Sequence, residues 1–205
     1  MSVFTLAMHH LNRPPSGPTP NWHGGDADLI ADAEMSRAAY SGATEVNGWQ
    51  KDVQLSGPDH AVFHKDGKAK IAYRGTNVKN KRDLGTDALI ALGLQDKSSR
   101  MKRAVRTADQ VTAKYGKGNV SLTGHSLGGS QSQYVSRKRG LEATGFNAAM
   151  SPIDALRSRT YSKFHSISTA SDPISKFTHH HVGKIGKKTT ARQTKWNPHG
   201  LSNYI

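Results

Sequence analysis

The sequence predicts an α/β protein with a mostly parallel central sheet. Three observations carry that expectation. Strand-like and helix-like segments alternate through the second half of the chain as strand, helix, strand, helix, strand. The length of 205 residues suits one domain, long enough to bury a real core without disulfides or structural metal. Cysteine is absent, so no disulfide scaffold or Cys-based metal site could stand in for such a core.

The elements follow in chain order. Residues 12–25 are rich in Pro, Gly and Asn and read as extended chain, so we set an N-terminal arm (1–25) apart from a domain over 26–205. Residues 26–41 read as a helix, with Asp26 and Asp28 in its first turn, where carboxylates suit the helix dipole. Leu29, Ile30, Ala33 and the run Arg37 to Tyr40 give the apolar stripe, and Gly42 is the stop. Two alternating runs flank Asp66-Gly67 and predict a hairpin. The second run ends at Arg74-Gly75-Thr76. A helix from about 98 to 114 places Met101, Val105, Ala108, Val111 and Tyr115 on one face, with Gly116 and Gly118 ending it. Asn119 to Thr123 is a short strand, and the segment after Gly124 is a helix up to Gly140. Further expectations are a strand at 143–146, a helix at 152–158 and a strand at 163–169. The apolar residues of 84–94 suit either a lid or a core helix.

Charge narrows the partners. Lys and Arg number 29 against 15 Asp and Glu, a formal net charge of +14. Such an excess attracts anionic membrane surfaces, nucleic acid or acidic polymers at low salt. About half of the basic residues fall in four groups: 79–82, 100–106, 137–139 and 184–195. The aromatics are not interleaved with them, and no nucleic-acid motif is present, which places nucleic acid behind a membrane surface as partner. No apolar run approaches ~20 residues, the span of a bilayer. The N-terminus lacks the basic n-region and small-residue cleavage site of a secretory signal, so the expected location is cytoplasmic, exported by another route, or in a virus particle.

The chemistry centres on Gly124-His125-Ser126-Leu127-Gly128, a G-x-S-x-G pentapeptide. A Ser on a tight strand-to-helix turn needs neighbours without Cβ, because the turn is strained and crowded. The following helix offers free N–H groups to an oxyanion. With 20 glycines in the chain the pentapeptide alone is weak, at about 0.2 matches expected by chance. Its context strengthens it, since a β-favouring run ends at Gly124 and a helix-compatible segment follows. A Ser nucleophile needs a His base, and that His needs a carboxylate; in this type of elbow both lie downstream, acid first. The acids there are Glu142, Asp154 and Asp172. Asp172 follows the 163–169 strand at its carboxyl end, where open α/β sheets place their sites. His179, His180, His181 and His199 all satisfy the order. Three adjacent His side chains do not converge on one ion, so 179–181 read as a loop rather than a metal site.

Several motifs in order resemble the class 3 (fungal-type) lipase family of α/β-hydrolases. They are Ile71-Ala-Tyr-Arg-Gly-Thr76, Asp83 and Asp87, Thr123-Gly-His-Ser-Leu-Gly-Gly129, Gly145-Phe-Asn147, Ser171-Asp-Pro173, and His199 with Tyr204. The resemblance spans about residue 26 to 205 and implies an α/β-hydrolase-like fold. It implies Ser126 as nucleophile, Asp172 as acid and His199 as base. It implies an oxyanion hole from the Thr76 and Leu127 amides, with Gly124, His125 and Gly128 shaping the elbow, and a lid within 76–94. Arg74 reads as structural, pairing with an acid such as Asp83 or Asp87. One departure is Ser130-Gln-Ser-Gln133, more polar than the small apolar run usual after the family's elbow.

These readings converge on a lipolytic serine hydrolase working through an acyl-enzyme, without metal or organic cofactor. The basic surface favours phospholipid over triacylglycerol. The competing classes are an inert hydrolase-like protein whose basic surface binds membrane, capsid or nucleic acid, a nucleic-acid binder, and an acyltransferase using the same acyl-enzyme.

Overall fold

The computed structural model describes residues 26–75, 97–149, 163–169, 171–172, 187–191, 197 and 199–205. The expected arm, the 76–94 lid, the helix at 152–158, and Thr76, Asp83, Asp87 and His179–His181 lie outside these residues.

The hydrophobic alternation of the sequence builds one eight-stranded sheet in sequential order. Its strands are β1 (Glu45–Val46), β2 (Trp49–Lys51), β3 (His60–Lys65), β4 (Lys68–Tyr73), β5 (Val120–His125), β6 (Glu142–Phe146), β7 (Phe164–Thr169) and β8 (Lys187–Ala191). Strands β1 to β4 pair antiparallel, and β4 to β8 pair parallel. The β3–β4 hairpin turns at Asp66 and Gly67, both at positive φ (49° and 74°), as the Asp-Gly dipeptide predicts. Asp66 is an acceptable left-handed residue because its side chain is short and polar.

Three described helices cover the sheet: α1 (Ala27–Ser41), α2 (Ser99–Tyr115) and α3 (Leu127–Arg139). Asp26 is the N-cap of α1 rather than a first-turn residue, accepting from the Asp28 and Leu29 amides. Gly42 closes α1 in the left-handed conformation. Ser98 caps α2, with its hydroxyl accepting from the Met101 amide.

Alternation along the strands sorts the core onto two faces. Val62, Ala69, Ile71, Tyr73 and Leu122 pack with Met101, Ala104, Ala108 and Val111 of α2 and Val135 of α3. Ala61, Phe63 and Ala72 pack with Met35 and Ala38 of α1. A smaller cluster of Ala33, Phe146, Ile167, Ala191 and Tyr204 joins α1 to the C-terminal strands and the chain end.

Two expectations are corrected. The buried face of α1 includes Asp32 and Ser36, while Arg37 is exposed. Asp32 is buried because Lys70 reaches it at 2.5 Å, and Ser36 because its hydroxyl meets that of Thr123 at 2.9 Å. Arg100 belongs to the basic group 100–106 but is only 4% exposed. Its guanidinium donates to the Arg74 and Gly75 carbonyls at 2.6 and 3.3 Å. The basic stretch 184–195 contains strand β8, whose Lys and Thr residues suit an outer strand beside β7.

Candidate functional site

The site forms where the parallel strands end. Strand β5 runs into Gly124, and Ser126 then turns the chain into α3 with φ 57° and ψ −123°. A non-Gly residue there is strained and is held only by what surrounds it. The Ser126 amide donates to the Phe146 carbonyl at 2.9 Å, and the Ser130 amide donates to the Ser126 carbonyl at 3.1 Å. Crowding explains the glycines on either side. A Cβ on Gly124 would collide with the Gly128 carbonyl, and one on Gly128 would land on the Tyr73 carbonyl oxygen. Both glycines permit a close backbone approach that any other residue would block. Leu127, the first residue of α3, is buried directly behind Ser126. The Ser residues of the polar run bond back to the helix or its surroundings. Ser132 donates to the Gly128 carbonyl at 3.1 Å, and Ser130 to the Ser126 and Ala149 carbonyls.

Asp172 and His199 are brought together across 27 residues of sequence. His199 Nδ1 lies 3.0 Å from Asp172 Oδ1, with the carboxylate fully buried and the imidazole partly exposed. The Asp172 amide donates to the Thr169 carbonyl at 3.2 Å, placing the acid in a tight turn off the end of β7. The His199 loop is braced by its own amides. The His199 N–H donates to Asn197 Oδ1 at 3.0 Å, and Asn203 Nδ2 donates to the Asn197 and Gly200 carbonyls.

Two supporting features were not legible as such in the sequence. Asn147, at φ 45°, accepts at Oδ1 from the Thr169 amide (3.1 Å) and the Tyr204 hydroxyl (2.7 Å). One amide side chain thus ties the end of β6 to the strand before Asp172 and to the segment after His199. The second feature is a chain of bonds through Tyr40 and His125. The Gly75 N–H donates to Tyr40 Oη at 2.8 Å, and Tyr40 Oη lies 3.5 Å from His125 Nδ1. His125 Nε2–H in turn donates to the His199 carbonyl at 2.5 Å. This network links α1, the end of β4, the elbow and the His199 loop. Tyr40 gave no signal beyond its place on the α1 stripe. Arg74 stacks over the Tyr40 ring, its guanidinium carbon 5.6 Å from the centroid.

The network needs a neutral His125, because Nε2 donates while Nδ1 faces a hydroxyl. Burial, and then the neighbouring His199, push its pKa down to about 3. On β7, burial and the Lys187 charge push His165 down to about 4, with Nε2 2.8 Å from the Thr189 hydroxyl. Both imidazoles ionise near pH 6.5 once unfolded. Below that pH the unfolded chain binds the extra protons, so this part of the stability is complete above about pH 6.5 and is lost as pH falls. Thermal unfolding followed by circular dichroism should show Tm falling by several degrees between about pH 7 and about pH 4.5. His165→Gln should flatten that slope; an unchanged slope would contradict the assignment to His165.

A family model described as phospholipase-like, a Tle-like phospholipase domain, matches residues 30–177. The structure is similar to a triacylglycerol lipase from Penicillium expansum, with a TM-score of 0.52 and 17% identity over 82% of this chain and 80% of that one. It is also similar to a mutant form of MDLA from Penicillium cyclopium, with a TM-score of 0.47 and 16% identity over 82% and 77% of the two chains. No curated protein sequence matches. The first of these structures shares the α/β-hydrolase fold expected from the sequence.

Proposed function

Because this chain belongs to the Tle-like phospholipase domain family, we propose that it is a phospholipase whose nucleophile is Ser126, with His199 as base and Asp172 as its orienting acid. At the coarser level it is a lipolytic hydrolase of the carboxylic-ester class. The observation that carries the finer reading is the His199–Asp172 pair at 3.0 Å, at the same end of the sheet as a Ser held at positive φ.

His199 Nδ1–H donates to the buried Asp172 carboxylate, which leaves Nε2 unprotonated and able to accept a proton. In the proposed reaction Ser126 Oγ attacks the ester carbonyl as its proton passes to His199 Nε2. The resulting oxyanion is met by the Leu127 N–H at the start of α3 and by the Thr76 N–H. His199 then protonates the leaving alcohol, and water attacks the acyl-enzyme by the same route in reverse. Each oxyanion donor contributes about 3–4 kcal/mol to lowering the barrier. His125 donates to the His199 carbonyl and so holds the base from its backbone side.

The preference for phospholipid rests on the family and on charge. With a net charge of +14, each Lys or Arg close to an anionic surface contributes about 1 kcal/mol, falling with salt. The test compares fatty-acid release from mixed anionic phospholipid vesicles and from a triacylglycerol emulsion. Faster release from vesicles, slowed by added salt, is the expected result. Release from the emulsion alone would overturn the phospholipid assignment, and release from neither would overturn the proposed reaction.

A further inference from the structure

The polar run after the elbow carries a buried acceptor that no described residue satisfies. Gln131 is only 1% exposed, and its Oε1 has no hydrogen-bond partner among the described residues. A buried acceptor without a donor is uncommon and calls for an explanation. Gln131 lines a cavity of about 270 Å³ at the carboxyl end of β4, with Tyr73, Asp59, Arg100, Arg103 and Arg106.

The charge of the cavity is unbalanced. Among the described lining residues, three arginines accompany one carboxylate, that of Asp59. Arg103 donates to Asp59 at 2.8 Å, whereas Arg106 has no ion-pair partner among the described residues. Burial opposes ionisation of Asp59, but the Arg103 hydrogen bond and the charges of Arg100 and Arg103 hold its carboxyl below the usual range, so it stays charged. Arg100 is the buried member of the three, fixed by the Arg74 and Gly75 carbonyls.

The cavity lies close to the reacting residues along the chain. Gln131 is five residues beyond Ser126, about 7.5 Å of helix rise. Arg100 grips the two residues that precede Thr76.

We propose that this cavity is the headgroup site for an anionic glycerophospholipid, with the phosphodiester facing the arginines and a headgroup hydroxyl donating to Gln131 Oε1. The inference rests on the phospholipase reading above. Guanidinium groups suit a phosphate because their forked donors match its oxygens. The Gln131 acceptor demands a ligand that also carries a donor. A glycerol headgroup has two hydroxyls. A choline headgroup has no N–H or O–H and brings a cation toward a positive wall. The volume is that of about nine waters at liquid density (~30 Å³ each), room for the ten non-hydrogen atoms of glycerol phosphate.

Isothermal titration of the Ser126→Ala protein keeps lipid ligands intact. The probes are inorganic phosphate, sn-glycerol 3-phosphate, and monomeric dihexanoyl phosphatidylglycerol and phosphatidylcholine. The expected result is at least tenfold tighter binding of phosphatidylglycerol than of phosphatidylcholine, with glycerol phosphate tighter than inorganic phosphate. Arg106→Gln, an exposed position on α2, should weaken phosphatidylglycerol about tenfold. Gln131→Leu should narrow the gap between glycerol phosphate and inorganic phosphate, with a circular dichroism melt confirming its fold. Equal binding of the two lipids, an unchanged Kd in Arg106→Gln, or binding of free phosphate without either glycerol ligand would each overturn the headgroup site. Vesicle hydrolysis is read separately. Its failure beside intact phosphatidylglycerol binding would remove the reaction and leave the site, and the opposite pattern would remove the site alone.

Discussion

Ser126→Ala is expected to lower ester hydrolysis by about 10⁴- to 10⁶-fold, as removal of a serine nucleophile does in triad enzymes. The substitution removes one atom, Oγ, and leaves the His199–Asp172 pair and the Leu127 amide in place. Ala occupies the same strained backbone, φ 57° and ψ −123°, that Ser126 holds. The surrounding bonds from the Ser126 amide to Phe146 and from Ser130 to the Ser126 carbonyl are backbone interactions and survive. Stability should therefore stay close to that of the unmodified chain. Initial rates on a short-chain ester and on phospholipid vesicles, with a thermal melt of both proteins, check the prediction. A variant with the same melt and more than about a tenth of the original rate would exclude Ser126 as nucleophile, because uncatalysed and oxyanion-hole contributions do not sustain such a rate.

The chain's local chemistry made much of the fold legible. Asp66-Gly67 announced the β3–β4 hairpin because only residues tolerant of positive φ make that turn. The stripe Met101, Ala108 and Val111 announced α2, and all three are fully buried. Gly42 and Gly140 marked helix ends and adopt the left-handed cap. Strand β8 was illegible for an equally physical reason. Its sequence Lys187-Lys-Thr-Thr-Ala191 lacks an apolar alternation, and only its position beside β7 makes it a strand. Two-residue β1 and three-residue β2 are too short to carry a period at all.

The site divides in the same way. The elbow was readable because its glycines, its Ser and its helix are contiguous. Chain order and strand ends pointed to Asp172 but left four His candidates; the family resemblance singled out His199, and the two side chains do meet. What sequence could not supply is partnership over distance. Tyr40 and His125 are 85 residues apart, and Asn147 and Tyr204 are 57 apart. His125, Asn147 and Tyr204 each stand in a motif, but nothing in the spacing says which residue meets which. Arg100 misled for a related reason. A Lys or Arg in a basic run is normally solvated, and its burial depends on carbonyls 25 and 26 residues away.

Gly128→Ala should be strongly destabilising. Its Cβ would lie on the Tyr73 carbonyl oxygen, 2.8 Å from the Tyr73 carbonyl carbon and 3.0 Å from that of Arg74. All three are backbone atoms, so no rotamer change relieves the clash. Tyr73 cannot retreat, because β4 is paired on both sides, with His60 of β3 and Gly124 of β5 opposite it. The Tyr73 ring is also fully buried, with its hydroxyl donating to the Ala104 carbonyl at 2.7 Å. Helix α3 must then move off the sheet, and Ser126 moves with its first turn. Overpacking of this kind costs about 1–3 kcal/mol where side chains adjust and more where backbone must shift. We expect a loss of about 4 kcal/mol and a Tm lower by about 10 °C. Gly118→Ala is the matched control, since a Cβ there meets nothing within 4 Å. Chemical denaturation of the three proteins separates the cases. If Gly128→Ala unfolds at the same midpoint as Gly118→Ala, α3 does not press on β4 as tightly as this geometry requires. If it unfolds early while Gly118→Ala does not, the close approach of α3 to Tyr73 is what holds the turn at Ser126 in its strained conformation.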